Sequence, residues 1–214
     1  MAIMKRQAFK SAAIGMAALA VAVSPAVAGA VSDTTTTTIN ATIEAVISIA
    51  SNNAPVGDTG QVDLSLTPTS GGVVSSGSDA IEVNTNNATG FELYLANSDT
   101  TTSLVNGANN ITAHAGTVGT PTTLAANTWG FALATGTPDI VTNAFDASYS
   151  AENSNGSSTS KWAGVPSSAS PVKLRDTTTT ATADITTFWY GVKVNTSLPT
   201  GVYTDTVTYT ATTN

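Results

Sequence analysis

Cysteine is absent from the 214-residue chain. The protein can therefore form no disulfide, bind no structural zinc through thiolates and carry no lipid on a cysteine. A chain of this length can nevertheless bury one hydrophobic core without covalent support. We therefore expect a single domain held together by packing and hydrogen bonds.

Charged residues are also scarce, at 10% of the chain against about 25% in typical globular domains. Acids outnumber bases by 14 to seven, and three of the seven bases lie within the first ten positions. Removal of the N-terminal segment would leave four bases against 14 acids, a net charge of −10. Such a surface repels phosphate groups, so we expect neither nucleic acids nor anionic lipids as partners.

Residues for catalysis are few. His114 is the only histidine; it lies in a polar stretch typical of a surface or loop, and no G-x-S-x-G turn accompanies it. The single D-T-G tripeptide at 58–60 lacks the second aspartate of an aspartic protease and is typical of a turn. Glu82 and Glu92 alternate with apolar residues, which predicts solvated strand positions rather than a glycosidase pair. We assign no catalytic residue.

Cofactor motifs are also lacking. The excess of Asp and Asn over basic residues allows a structural Ca²⁺ ion, since this ion prefers oxygen ligands. No D-x-D-x-D-G loop or glycine-rich calcium repeat indicates which residues would bind it. We therefore predict no cofactor and assign no metal ligand.

The N-terminus has the three parts of a secretory signal peptide. Basic residues form its head, a run of small apolar residues follows at 11–25, and an A-x-A pattern stands at 26–28. The run is shorter than the roughly 20 residues of a spanning helix, which favours cleavage over an uncleaved anchor. We predict a signal peptide over 1–28, cleaved after Ala28 or Ala30, and export of a product without a membrane span.

Threonine is the most frequent residue of the chain. Its β-branched side chain favours strands. Residues 29–38 form a Thr-rich leader predicted to be flexible. From Ile39 to Ile49 apolar and polar residues alternate, which predicts a long half-buried strand. Ile39, Ile43 and Ile47 are candidates for an intermolecular strand that adds to a neighbour's sheet edge. Pairing within their own sheet is the alternative.

The same alternation recurs further along the chain. It predicts strands at 62–66, 81–85, 91–96, 129–133, 188–194 and 202–211, with weaker ones at 103–105 and 110–114. A short Asn- and Gly-containing turn between 81–85 and 91–96 favours a hairpin. No segment beyond the N-terminus has the 3.6-residue apolar period of a helix. We therefore predict an all-β protein, with a single immunoglobulin-like Greek-key β-sandwich over residues 39–214.

Aromatic residues amount to 6% of the chain, and three of them are tryptophans. Trp129 shares its strand face with apolar neighbours and is predicted to lie in the core. Trp162 lies in the polar stretch 148–170, where long loops often carry recognition surfaces. Trp189 lies on the opposite face from its apolar neighbours. Trp162 and Trp189 are therefore the candidates for stacking on a ligand, with Trp162 the better exposed.

Three segments resemble known proteins. The sequence FWYGVKVNTSLPTGVYTDTVTYTAT at 188–212 resembles the closing hairpin of bacterial surface β-sandwiches. The segments NTWGFAL at 127–133 and IEVNTNNATGFELYL at 81–95 resemble motifs of small secreted surface proteins of candidate-phyla bacteria such as Saccharibacteria. The ending also resembles spore-coat-U proteins and archaic chaperone–usher pilins, whose usual cysteine pair is missing here. These resemblances imply an exported β-sandwich at the cell surface.

Together, these features favour an exported cell-surface or extracellular protein that acts by surface contacts. A structural or adhesive role follows, such as a fibre or surface-layer subunit, with proteins, glycans or further copies of the chain as partners. A carbohydrate-binding module that uses Trp162 is the alternative. An enzyme is the least favoured class.

Overall fold

The computed structural model describes residues 35–51, 60–134, 136–142, 144–146, 149, 152–154 and 160–214. The predicted signal peptide and the first two residues of the D-T-G tripeptide lie outside these ranges. The chain divides into two units between Thr42 and Ile43. The described part of the first unit, residues 35–42, is exposed and has no secondary structure. The second unit, Ile43–Asn214, begins close to the predicted domain start at Ile39.

Strands build the second unit, and the described residues contain no helix. The strands are β1 (Ile47–Ser51), β2 (Val73–Thr85), β3 (Phe91–Asn97), β4 (Leu104–Asn106), β5 (Asn109–Ala113), β6 (Thr128–Leu133), β7 (Glu152–Ser154), β8 (Val172–Asp176), β9 (Ala181–Val194) and β10 (Val207–Thr213). The predicted all-β fold is confirmed. Its Greek-key, immunoglobulin-like connectivity stays a prediction.

The described strands form two sheets. The large sheet has the order β1-β2-β9-β6-β5-β4, and β7 also pairs with β2. The small sheet has the order β10-β3-β8. Neighbours pair antiparallel except for β5 and β6, which run parallel. β2 and β9, the two longest of these strands, form the centre of the large sheet.

The turn between β2 and β3 crosses from one sheet to the other. The hairpin predicted from 81–85 and 91–96 is therefore wrong, because β2 pairs with β1, β7 and β9 while β3 pairs with β8 and β10. Gly90 permits the crossing: its φ is 86°, and a Cβ there would lie 2.5 Å from the Thr177 carbonyl oxygen. For the same reason β9 and β10 form no closing hairpin, since they belong to different sheets.

Three predicted strands differ from the structure. The strand expected over 202–211 begins only at Val207 and continues to Thr213. The strand expected over 39–49 begins only at Ile47, and residues 35–46 have no regular structure. The segment 62–66 forms no strand, although Val62 and Leu64 pack against the core in the expected alternation. Packing alone thus sets the side-chain pattern of 62–66, without the backbone pairing of a sheet.

Apolar side chains from both sheets form one core cluster. The large sheet contributes Ile81 and Phe188, and the small sheet contributes Phe91 and Leu93. The Phe188 ring lies 4.7 Å from the ring of Tyr209, which joins β9 to β10. Complete burial of each such side chain contributes about 1.5–3 kcal/mol, so the contact between the sheets stabilises the domain substantially.

A buried arginine also joins the sheets. Arg175 of β8 is fully buried and lies 5.5 Å above the Phe91 ring. Its guanidinium donates to Asp184 of β9 at 2.5 and 3.1 Å and to the Thr186 hydroxyl at 2.8 Å. This bidentate ion pair compensates the buried positive charge, because the planar guanidinium and carboxylate groups can form two parallel hydrogen bonds.

Candidate functional site

The exposed apolar residues before β1 are the first candidate site. Ile39 is 87% exposed, Ile43 is 86% exposed and Val46 is 64% exposed, whereas Ile47 is half-buried. Ile47 and Ile49 pair with Thr85 and Val83, both buried on the core face of β2. Of the three intermolecular-strand candidates, Ile47 thus pairs within its own sheet, while Ile39 and Ile43 have no strand partner.

We call residues 43–46 the N-terminal strap. Side chains, rather than a backbone ladder, hold it against β2. The Val46 amide donates to Oδ1 of Asn86 at 2.7 Å, and Nδ2 of Asn86 donates to the Glu44 carbonyl at 2.9 Å. The Thr85 hydroxyl donates to the Val46 carbonyl at 2.7 Å. Sequence reasoning missed these contacts, because a polar residue at the end of a strand usually indicates only a turn.

An open groove of about 430 Å³ lies beside the strap. Six of its eight lining residues carry a hydroxyl or amide group; the lining consists of Val46, Ser48, Asn84, Thr85, Asn86, Thr180, Ala181 and Thr182. The Asn84 amide is engaged by Glu82 and by the Ala183 N–H. The groove therefore brings solvent to the strap contacts but presents no aromatic face or charged group for a ligand.

The two candidate tryptophans lie in one aromatic cluster. Tyr149 packs edge-on against Trp162 at 5.0 Å and stacks with Trp189 at 6.4 Å. The prediction that Trp162 is exposed is wrong, because only 3% of its surface is accessible. Its ring lies over Gly191 of β9, where a Cβ would approach it to 2.7 Å. Trp189 is half-buried.

Burial also governs the chemistry of this cluster. The Tyr149 hydroxyl donates to the Lys161 carbonyl and accepts from the Asp146 N–H at 3.0 Å. Desolvation raises the pKa of Tyr149 to about 12, so it stays protonated. A glycine within a strand often marks a close approach, and Gly191 was the sequence signal that could have revealed the burial of Trp162.

His114 is buried, and its predicted surface position is wrong. It follows β5, is 7% exposed, and its Nε2 lies 2.8 Å from the Thr122 hydroxyl. The Nδ1 atom lies 3.4 Å from the Thr128 hydroxyl. Burial lowers the pKa of His114, because the charged imidazolium is disfavoured away from water. No serine or carboxylate side chain bonds this ring in the contacts described, so it fills a structural position.

Buried polar side chains form a further network at the end of β1. The Ser51 hydroxyl donates to Asp79 at 2.7 Å, and the hydroxyls of Tyr190 and Tyr209 lie 2.5 Å apart. Tyr209 also hydrogen-bonds the Asp79 side chain. Burial raises the pKa of both tyrosines, which act as neutral hydrogen-bonding groups. The network links four strands, β1, β2, β9 and β10, and gives the buried Asp79 its hydrogen-bond partners.

The two glutamates weighed as a pair lie in different sheets. Both are half-buried, Glu82 on β2 and Glu92 on β3. Lys173 donates to Glu92 at 2.8 Å and lowers the pKa of that carboxyl. Each glutamate alternates with core residues of its own sheet, so the two carboxylates lie on the outer faces of different sheets and do not form the paired arrangement of a glycosidase.

Neither a cluster of metal ligands nor a membrane-spanning helix occurs among the described residues. In the described ranges, no group of three or more His, Cys, Asp or Glu side chains is placed to hold a metal ion. The structural calcium therefore stays a prediction without ligands. Nor does any described segment form a helix of the length and apolarity that would cross a membrane.

The described residues define an all-β protein, and three of their seven exposed large apolar side chains, Ile39, Ile43 and Val46, lie before the first strand. No protein-family model matches the chain, and comparison with curated proteins and with solved structures found no match. The resemblances to bacterial surface proteins and pilins therefore stay predictions drawn from the sequence.

Proposed function

We propose that this protein is an exported structural subunit that assembles at the cell surface through the segment before β1. The exposure of Ile39 and Ile43 carries the proposal. Residues of this size are usually buried, and removing each from water contributes about 1.5–3 kcal/mol. An apolar surface that its own domain leaves uncovered is typical of a contact with another molecule.

The alternation of the segment supports a strand-like contact. Ile43 lies four residues before Ile47, so in an extended chain it would point to the same side as Ile47, which packs against the core. Extended in the same way, residues 39–46 would present one apolar face and one polar face. A neighbouring sheet edge could then supply backbone hydrogen bonds, while a pocket takes the isoleucines.

A further copy of the chain is the partner we favour. β10 forms one edge of the small sheet. Its sequence, VTYTATT, has none of the charges or prolines that commonly protect sheet edges from pairing. An uncharged edge also avoids repulsion between copies that share the same acidic surface.

Sedimentation velocity of the exported chain and of two variants tests the proposal. We expect the wild type to form oligomers that grow with concentration, and Ile43→Asp to remain monomeric, because a carboxylate cannot enter an apolar pocket without a large desolvation cost. Thr42→Asp is the matched control: it adds the same charge one residue away, on the polar face. A monomeric wild type, or equal assembly of all three proteins, would overturn the proposal.

The carbohydrate-binding alternative is less well supported. Trp162 is buried, so only the half-buried Trp189 remains of the two proposed stacking residues. Glycan partners, extracellular localisation and the lack of enzymatic activity stay predictions of the sequence. Binding to a glycan array that is lost in Trp189→Ala would favour the carbohydrate-binding alternative.

A further inference from the structure

We propose that Asn86 is a latch that holds the N-terminal strap on its own sheet and thereby restrains assembly. The effect on assembly rests on the function proposed above, whereas the latch itself rests on geometry alone. Asn86 contacts the strap twice, through both atoms of its amide group. No other side chain in the described contacts bonds two backbone groups of the strap.

The latch stands where the backbone ladder ends. The last pair of β1 and β2 joins Ile47 to Thr85. The next pair would join Val46 to Asn86, but the chain turns there towards β3, with the Gly90 N–H bonded to the Asn87 carbonyl at 3.1 Å. Beyond Thr85, the backbone therefore turns away and offers the strap no hydrogen-bond partner.

The Asn86 side chain replaces that missing backbone. It accepts from the Val46 N–H and donates to the Glu44 carbonyl, two groups on either side of Ala45. One residue of a neighbouring parallel strand makes the same pair of bonds, because a primary amide has a donor and an acceptor like a peptide group. A carboxylate could make only the first of these bonds.

The latch is weak enough to open. Both Asn86 bonds lie at the surface, and the groove beside them admits water. Solvent-exposed hydrogen bonds contribute little net stability, since water replaces them when they break. Release of the strap breaks these two bonds and the one from the Thr85 hydroxyl to the Val46 carbonyl. A neighbour that offers both a sheet edge and an apolar pocket replaces them, binds the released state and shifts the population towards it.

Amide hydrogen exchange by NMR tests the latch in the full exported chain. In Asn86→Ala we expect the Val46 amide to exchange on the order of tenfold faster, the factor that one ordinary hydrogen bond represents. Asn84→Ala is the matched control, because Asn84 lines the same groove but bonds Glu82 and Ala183 instead of the strap. The amide of Val192 in the core should be unchanged, which excludes global loosening.

A second variant separates the hydrogen bonds from other effects of alanine. Asn86→Asp keeps the acceptor for Val46 and loses the donor for Glu44, so exchange at Val46 should stay near the wild-type rate. Light scattering should then show faster assembly for Asn86→Ala than for Asn84→Ala. Unchanged exchange at Val46 in Asn86→Ala would overturn the latch.

The remaining outcomes distinguish the latch from the proposed function. Faster exchange at Val46 with an unaltered assembly rate would overturn the restraint on assembly and leave the contact itself in place. Failure of Ile43→Asp to reduce assembly would overturn the proposed function, whatever the exchange rate at Val46.

Discussion

The environment of His114 combines burial with a lack of counter-charge. Between Asp99 and Asp139 the sequence contains no acidic, lysine or arginine residue. Gly164 packs against the backbone of His114, and Lys161 lies three residues before it in the chain. Lys161 is exposed and positively charged, so it offers no counter-charge to an imidazolium. A proton on His114 would therefore create a buried cation without a partner.

This environment predicts a dependence of stability on pH. Burial places the folded-state pKa of His114 below its unfolded value of 6.5. Stability is therefore complete above this value and decreases as the pH falls below it, by at most about 1.4 kcal/mol per pH unit for one proton. Urea unfolding at pH 7.5 and 5.0 should show a smaller loss for His114→Gln than for the wild type. Equal losses would contradict this assignment.

Trp162 illustrates what a single residue's surroundings can hide from sequence reasoning. Its neighbours in sequence are serine, lysine and glycine, which predicts a solvated loop. Two residues cover it. Gly191 is distant along the chain, and Tyr149 is a single aromatic residue in a polar stretch. Local composition carries no information on such long-range contacts, so the sequence around Trp162 could not predict that its side chain is buried.

At the scale of elements, alternation identified the faces of strands but not their sheets. The patterns at 129–133 and 188–194 correspond closely to β6 and to the second half of β9. Yet a five-residue turn can close a hairpin or cross between sheets, and only packing of the whole domain decides between them. The sequence did not predict β8, because one of its buried positions is Arg175, and arginine normally indicates a surface position.

The contact between β9 and Trp162 gives a prediction at this scale. Gly191→Ala adds a Cβ that would lie 2.7 Å from the Trp162 ring, so the ring must move. We expect a loss of about 1–3 kcal/mol of stability, as for other overpacked sites, and a weaker tryptophan signal in near-ultraviolet circular dichroism. Gly119→Ala is the control, because a Cβ there has no neighbour within 4 Å. Equal behaviour of both variants would contradict the packing described.

At the scale of the whole molecule, charge opposes the proposed assembly while apolar contacts favour it. The processed chain would have a net charge of −10, since all 14 acids and four of the seven bases lie beyond Ala28. Copies approaching each other therefore repel over a distance set by salt, roughly 30 Å at 0.01 M and 8 Å at 0.15 M. Backbone pairing and burial of isoleucine depend much less on salt.

The rate of assembly should therefore rise with ionic strength. Light scattering of the chain from residue 29 onward, in 10 mM and 150 mM sodium chloride, measures the rate directly. Ile43→Asp should fail to assemble at both concentrations, because screening removes repulsion but does not restore the apolar contact. A rate that falls with added salt would mean that ion pairs join the copies, and the exposed isoleucines before β1 would then not be the principal contact.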